Sequence, residues 1–198
     1  MRSLILTTFL LLLPSAGADD ALIAECDSCH GAAAADMTPI IAGLSEFYLD
    51  DNLHQYADAY RPCPEATFPA GSVRAGETTT MCAIAQSLSA AQIAEVAAHY
   101  SAMDFPFAAQ PFDAAAADRG AQLHELQCKR CHADAGTDPF DDAGILAGQR
   151  SEYLRHSLDE FRNGERPYPD KMDLKVDPLS AADIDALIAF WAREGGTH

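Results

Sequence analysis

The 198-residue chain carries the pattern C-x-x-C-H twice, as Cys26-Asp27-Ser28-Cys29-His30 and Cys128-Lys129-Arg130-Cys131-His132. No other feature limits the possible folds so sharply. Two thiols one helical turn apart can bond the two vinyl groups of a single porphyrin, and the next residue brings an imidazole to one face of its iron. The pattern predicts two covalently attached haem c groups, one on Cys26 and Cys29, the other on Cys128 and Cys131. His30 and His132 are then the proximal ligands. A thioredoxin-like redox pair would need neither the histidine nor the duplication, and a zinc ribbon favours four cysteines or a separate histidine pair.

The motifs lie 102 residues apart, and the text after each one repeats. Ile41-Ala42-Gly43, Tyr48-Leu49, Leu53, Tyr56 and Arg61-Pro62 match Leu146-Ala147-Gly148, Tyr153-Leu154, Leu158, Phe161 and Arg166-Pro167 at an offset of 105. Met81, Leu88-Ser89-Ala90-Ala91, Ile93 and Tyr100 match Met172, Leu179-Ser180-Ala181-Ala182, Ile184 and Trp191 at an offset of 91. The first half therefore carries 14 extra residues between Pro62 and Met81, flanked by Cys63 and Cys82. In an oxidising compartment two leftover thiols most simply form a disulfide; two unpaired buried thiols are the alternative.

Apolar spacing predicts helices over 20–29, 45–59, 117–131 and 151–163. Each half closes with a helix after a serine N-cap, Ser89 before Ala90–Ser101 and Ser180 before Ala181–Glu194. The result is all-α: a first domain over 19–104, a linker or strap over 105–116 and a second domain over 117–198. Each is small for independent folding, and a buried haem would complete its core.

Residues 1–18 read as a cleaved export signal. Arg2 forms the positive start, Leu4 to Leu13 the apolar stretch, and Ala16-Gly17-Ala18 the cleavage site. A membrane anchor would need about 20 apolar residues, and this run stops at Pro14. A periplasmic chain with no membrane span in its mature form is expected. The formal charge of −17 excludes nucleic acid as a natural partner and favours redox protein partners with a basic docking surface.

A haem that only shuttles electrons has both axial positions filled. Methionine opposite histidine raises the potential. Met172 is the only methionine after the second motif. In the first half Met37, Met81 and Met103 compete; Met81 is the repeat partner of Met172 and lies in an irregular stretch before the last helix. His54, His99, His124 and His156 are rival ligands with no equivalents between the halves. Cys82 is another if it is not in a disulfide.

The two motifs, the A-G, Y-L and R-P segments and the methionine before L-S-A-A resemble the tandem dihaem class I cytochromes c. These comprise the cytochrome c4 type and the related cytochrome subunit of flavocytochrome c sulfide dehydrogenases. The resemblance implies two class I domains related by a pseudo-twofold axis, with His30 and Met81 on one iron and His132 and Met172 on the other. In that family a proline carbonyl accepts a hydrogen bond from the proximal histidine. Pro39 fits this role, whereas the matching residue in the second half is Gly144. The leading functional reading is an electron carrier working with a terminal oxidase or reductase. The alternative is the haem subunit of a dehydrogenase whose flavoprotein subunit is a separate chain, since no G-x-G-x-x-G stretch occurs here. A third reading, an enzyme with one reactive haem, requires an open or cysteine-ligated iron.

Overall fold

The computed structural model describes residues 19–31, 35–139, 143–169 and 171–197. The expected export segment 1–18 lies outside them. The described chain is all-α apart from one small hairpin. The first half contains α1 (Asp20–His30), α2 (Glu46–Ala57), α3 (Met81–Ser87) and α4 (Ala90–Ser101); the second contains α5 (Ala114–Leu123), α6 (Ser151–Arg162), α7 (Asp173–Val176) and α8 (Ala181–Gly195). Side chains stop the helices where unpaired backbone N–H groups need acceptors. Asp19, Ser45, Thr80 and Asp113 cap α1, α2, α3 and α5. Ser89 with Gln92, and Ser180 with Asp183, form reciprocal capping boxes at the two closing helices, each worth about 1 kcal/mol.

One helix, α5, differs from expectation at both ends. α5 begins at Ala114, and after Leu123 the chain takes a π-helical turn over His124–Cys128 instead of continuing as α-helix to 131. There the His124 ring donates to the backbone carbonyl of His132 at 3.0 Å, which bends the chain back beside the helix end. The short helices α3 and α7 also stand where irregular chain was expected.

The buried cluster of the first half joins Ile23, Ile40, Leu44, Leu49, Val96, Ala97, Tyr100 and Phe105, with Ile145 added from the second half. That of the second half joins Leu154, Leu158, Val176, Leu179, Ile184, Leu187, Ile188, Phe190 and Trp191. Among the described residues Leu187 is the only large side chain that is fully enclosed.

The repeated Ala-Gly pair has a geometric cause. Gly43 and Gly148 have φ of 74° and 72°, and their N–H groups donate to the carbonyls of Tyr100 and Trp191 at 2.8 and 3.0 Å. A Cβ on Gly43 would lie 2.4 Å from the Phe105 backbone nitrogen, and one on Gly148 would lie 2.7 Å from the Phe107 ring. Only glycine tolerates both the left-handed backbone and this approach.

The segment between the halves is a packed strap. Phe105 is buried and its ring meets that of Phe107 edge-on at 5.0 Å. Ala108 N–H donates to Gly148 O at 2.9 Å. The Gln110 side chain donates to Gln149 O and accepts from Ser151 N–H.

The 14-residue insertion carries a minimal antiparallel hairpin, β1 (Ala66–Thr67) against β2 (Thr78–Thr79), closed at its base by the Cys63–Cys82 disulfide. Phe68 is buried beneath the Arg74 guanidinium, 4.4 Å from the ring centroid, and Arg74 pairs with Glu25 of α1 at 2.6 Å. Removing a cross-link over a loop of this length costs about 3 kcal/mol in the chain-entropy account. A Cys63→Ser, Cys82→Ser double variant should lower the urea midpoint of the holoprotein accordingly, with little change in its haem spectrum.

Candidate haem sites

The C-terminal end of α1 carries Cys26, Cys29 and His30 together. Burial, aided by the adjacent Glu25 carboxylate, pushes the Cys26 thiol up to about 11. His30 Nδ1 lies 3.0 Å from the carbonyl of Pro39; a carbonyl can only accept, so Nδ1 carries the proton and Nε2 is left for a metal. Burial also holds the His30 pKa below its ordinary value, favouring the neutral imidazole that ligates iron.

The second motif sits on a tighter turn. Cys128 closes the π-helical turn, and its carbonyl accepts from the N–H groups of both Cys131 and His132 at 3.1 and 3.0 Å. Cys131 is exposed and Cys128 half-buried; burial pushes the Cys128 thiol up to about 11. Gly144 packs under Tyr48 of the first half, where a Cβ would lie 2.9 Å from the phenol oxygen. Met81 is the first residue of α3, and Met172 immediately precedes α7. Both are half-buried. Met172 and Cys128 pack against the same buried cluster. The methionines thus occupy equivalent places, each at the start of a short helix.

The last helix of each half holds the haem motif through an aromatic residue, by different chemistry. Tyr100 OH donates to Asp27, inside the first motif, at 2.7 Å. Its repeat mate Trp191 donates from Nε1 to His124 Nδ1 at 3.1 Å, and His124 Nε2 donates to the His132 carbonyl. His124 is therefore a buried neutral relay rather than an iron ligand, and burial lowers its pKa. Sequence reading missed this role because His124 has no counterpart in the first half, although the aligned Tyr100 and Trp191 pointed to the helix that holds it.

Between the halves lies a cluster built from repeat mates. Arg61 stacks on Tyr56 at 4.4 Å and Arg166 on Phe161 at 4.3 Å. Each then faces phenols across the seam, and the two guanidinium groups act on the ionisation of Tyr48 and Tyr153 there. Asn52 Oδ1 accepts from Arg61 Nη1 at 2.5 Å and from Arg166 Nη2 at 3.4 Å. Both arginines are buried, and among the described residues no carboxylate forms an ion pair with either. Arg61 Nε is buried with no hydrogen-bond partner. Burial pushes the Tyr153 phenol up, but the two guanidinium groups overcome this and bring it down to about 8. Buried surplus cations of this kind call for anions, and each haem carries two carboxylates. With two thiols, an imidazole and a thioether available in each half, the residues fit two haem c groups.

No protein-family model matches the chain. It is 30% identical over 194 residues to the thiosulfate dehydrogenase electron acceptor of Stutzerimonas stutzeri, spanning 90% of this chain and 82% of that one. It is 28% identical over 156 residues to the protein of the same name from Thiomonas intermedia, of whose length the match spans 65%. With cytochrome c4 of Pseudomonas aeruginosa the identity is 30%, over 83% and 81% of the two chains. Among solved structures, reduced recombinant cytochrome c4 from Pseudomonas stutzeri superposes with a TM-score of 0.69 at 27% identity, covering 89% of this chain and 98% of that one. The thiosulfate dehydrogenase TsdBA from Marichromatium purpuratum gives 0.62 at 27% identity, over 84% of this chain and 36% of that one.

The two anchors can be weighed separately. Trp191→Phe leaves His124 Nδ1 buried without a donor and should cost about 1–3 kcal/mol, and Tyr100→Phe about 1–2 kcal/mol. Urea unfolding of the holoprotein measures both.

Proposed function

The chain belongs to the cytochrome c4-like dihaem cytochromes c, and on that premise we propose that it accepts electrons one at a time from a thiosulfate-oxidising dehydrogenase and passes them to a terminal oxidase or reductase. Two covalently attached haem c groups and electron transfer come with the family. The donor, the ligands and the compartment are this proposal. Its main support is the 30% identity to a thiosulfate dehydrogenase electron acceptor across 82% of that protein's length. The alternative, a haem subunit of a dehydrogenase beside a flavoprotein, is compatible with the likeness to TsdBA, which fits the carrier reading equally.

Haem supplies the one-electron ferric–ferrous couple. Cys26, Cys29, Cys128 and Cys131 anchor the two groups. His30 with Met81 would ligate one iron and His132 with Met172 the other, an arrangement suited to electron transfer alone. The Pro39 carbonyl fixes the His30 ring; the expected counterpart does not form, since no bond joins His132 Nδ1 to the Gly144 carbonyl among the described residues and Gly144 packs under Tyr48 instead. Arg61 and Arg166, buried without a carboxylate partner among the described residues, would hold haem carboxylates at the seam near Tyr48 and Tyr153. Tyr100 holds the Asp27 side chain of the first motif, and Trp191 with His124 holds the His132 carbonyl of the second. Residues 1–18 direct export to the periplasm, with cleavage after Ala18. Among the described residues no single helix is long and apolar enough to cross a membrane. The acidic surface, net −17, steers a basic redox partner into place.

Stopped-flow mixing of the oxidised protein with thiosulfate dehydrogenase and thiosulfate tests the reading. Fast haem reduction that slows as salt rises is expected; reduction no faster than by thiosulfate alone would overturn it. Met81→Ala and Met172→Ala should each lower the potential of one haem and leave the other nearly in place, as read by a redox titration. Removing either seam cation, as Arg61→Met or Arg166→Met, strands buried carboxylates and should cost about 3–5 kcal/mol of holoprotein stability.

A further inference from the structure

One buried side chain of the second half grips the backbone that orients the proximal histidine of the first. Gln149 is 2% exposed. Its Oε1 accepts from Ile40 N–H at 2.8 Å and its Nε2 donates to Ile40 O at 2.9 Å. Only one orientation of the amide satisfies both bonds. Oε1 accepts from Arg150 N–H as well, and the Gln149 carbonyl is held by Gln110 of the strap. The side chain is therefore fixed on its own side before it reaches across.

The Ile40 N–H belongs to the same peptide unit as the Pro39 carbonyl, which accepts from His30 Nδ1. Three groups thus lie in series: the Gln149 amide oxygen, the Pro39–Ile40 peptide and the His30 imidazole. Hydrogen bonds in series polarise one another. An acceptor on the peptide N–H makes its carbonyl a stronger acceptor, which draws the Nδ1 proton away and makes Nε2 a better electron donor. Hydrogen bonds to a ligating histidine tune its metal in this way.

The arrangement has no mirror image. At the offset of 105 that relates the halves, the counterpart of Gln149 is Leu44, a buried apolar residue that cannot bond any backbone. We infer that Gln149 is a positioning residue by which the second domain sets the ligand strength of His30, and hence the potential of the first haem alone. This rests on the reading above that His30 ligates the first iron.

The test uses the holoprotein with Gln149→Leu, which installs the residue of the other half, and Gln149→Glu studied at alkaline pH, where the carboxylate is ionised. Both haem potentials are measured by spectroelectrochemistry, and the His30 ring protons by NMR of the ferric protein. Gln149→Leu is neutral, so it adds no long-range charge. It should shift the ferric–ferrous equilibrium of the first haem toward ferrous by about threefold or more, move the His30 Nδ1 proton and leave the second haem nearly unchanged. Gln149→Glu keeps the acceptor for Ile40 N–H, strengthens it with charge, and should move the first haem toward ferric. Equal shifts at both haems, shifts of the same sign in both variants, or no shift would overturn the inference. If Gln149→Leu does not fold, the near-isosteric glutamate variant still decides, because its direction and the His30 signal are both specified. Absence of hyperfine-shifted His30 resonances in the unaltered ferric protein would instead remove the ligand assignment beneath it.

Discussion

Two guanidinium groups buried at one seam are the most demanding feature of this fold. Desolvating a cation costs several kcal/mol unless opposite charge and hydrogen bonds compensate, and Arg61 and Arg166 have no carboxylate beside them among the described residues. Phenols, one amide and two aromatic faces are what the polypeptide offers. The rest of the architecture is consistent with a chain completed from outside. Among the described residues its clusters enclose a single large side chain fully, and the motif thiols stand half-buried or exposed. On the proposed function, the groups that fill the two halves would also neutralise the boundary between them.

Much of this was readable without coordinates, because the information is local or repeated. A C-x-x-C-H pattern states a bonding requirement within five residues, and the capping boxes at Ser89 and Ser180 lie within four. The offsets aligned Gly43 with Gly148, Arg61 with Arg166 and Tyr100 with Trp191, and each pair occupies equivalent positions. What stayed hidden had no period or no partner in the repeat. Helices of seven and four residues, α3 and α7, are too short to display a helical spacing of apolar residues. The π-helical turn depends on a ring contact eight residues along the chain. Gln149 aligns with a leucine, so nothing in the text marks it as a residue that reaches across.

The halves are alike in plan and different in support. The first ties its haem motif to the closing helix by one phenol–carboxylate bond and adds a disulfide-closed hairpin pinned to α1. The second uses an indole, an imidazole and a main-chain carbonyl. Two copies of one design are thus supported by unlike means, which gives each site its own set of polar neighbours and its own means of adjustment.

The strap from Phe105 to Asp113 has a kinetic consequence. A loose tether would let the halves drift, and tunnelling between their centres would then proceed over a spread of distances. A tether bonded at Ala108 and Gln110 and wedged by Phe105 narrows that spread. The step between the halves then varies less than the events in which a separate molecule arrives or departs.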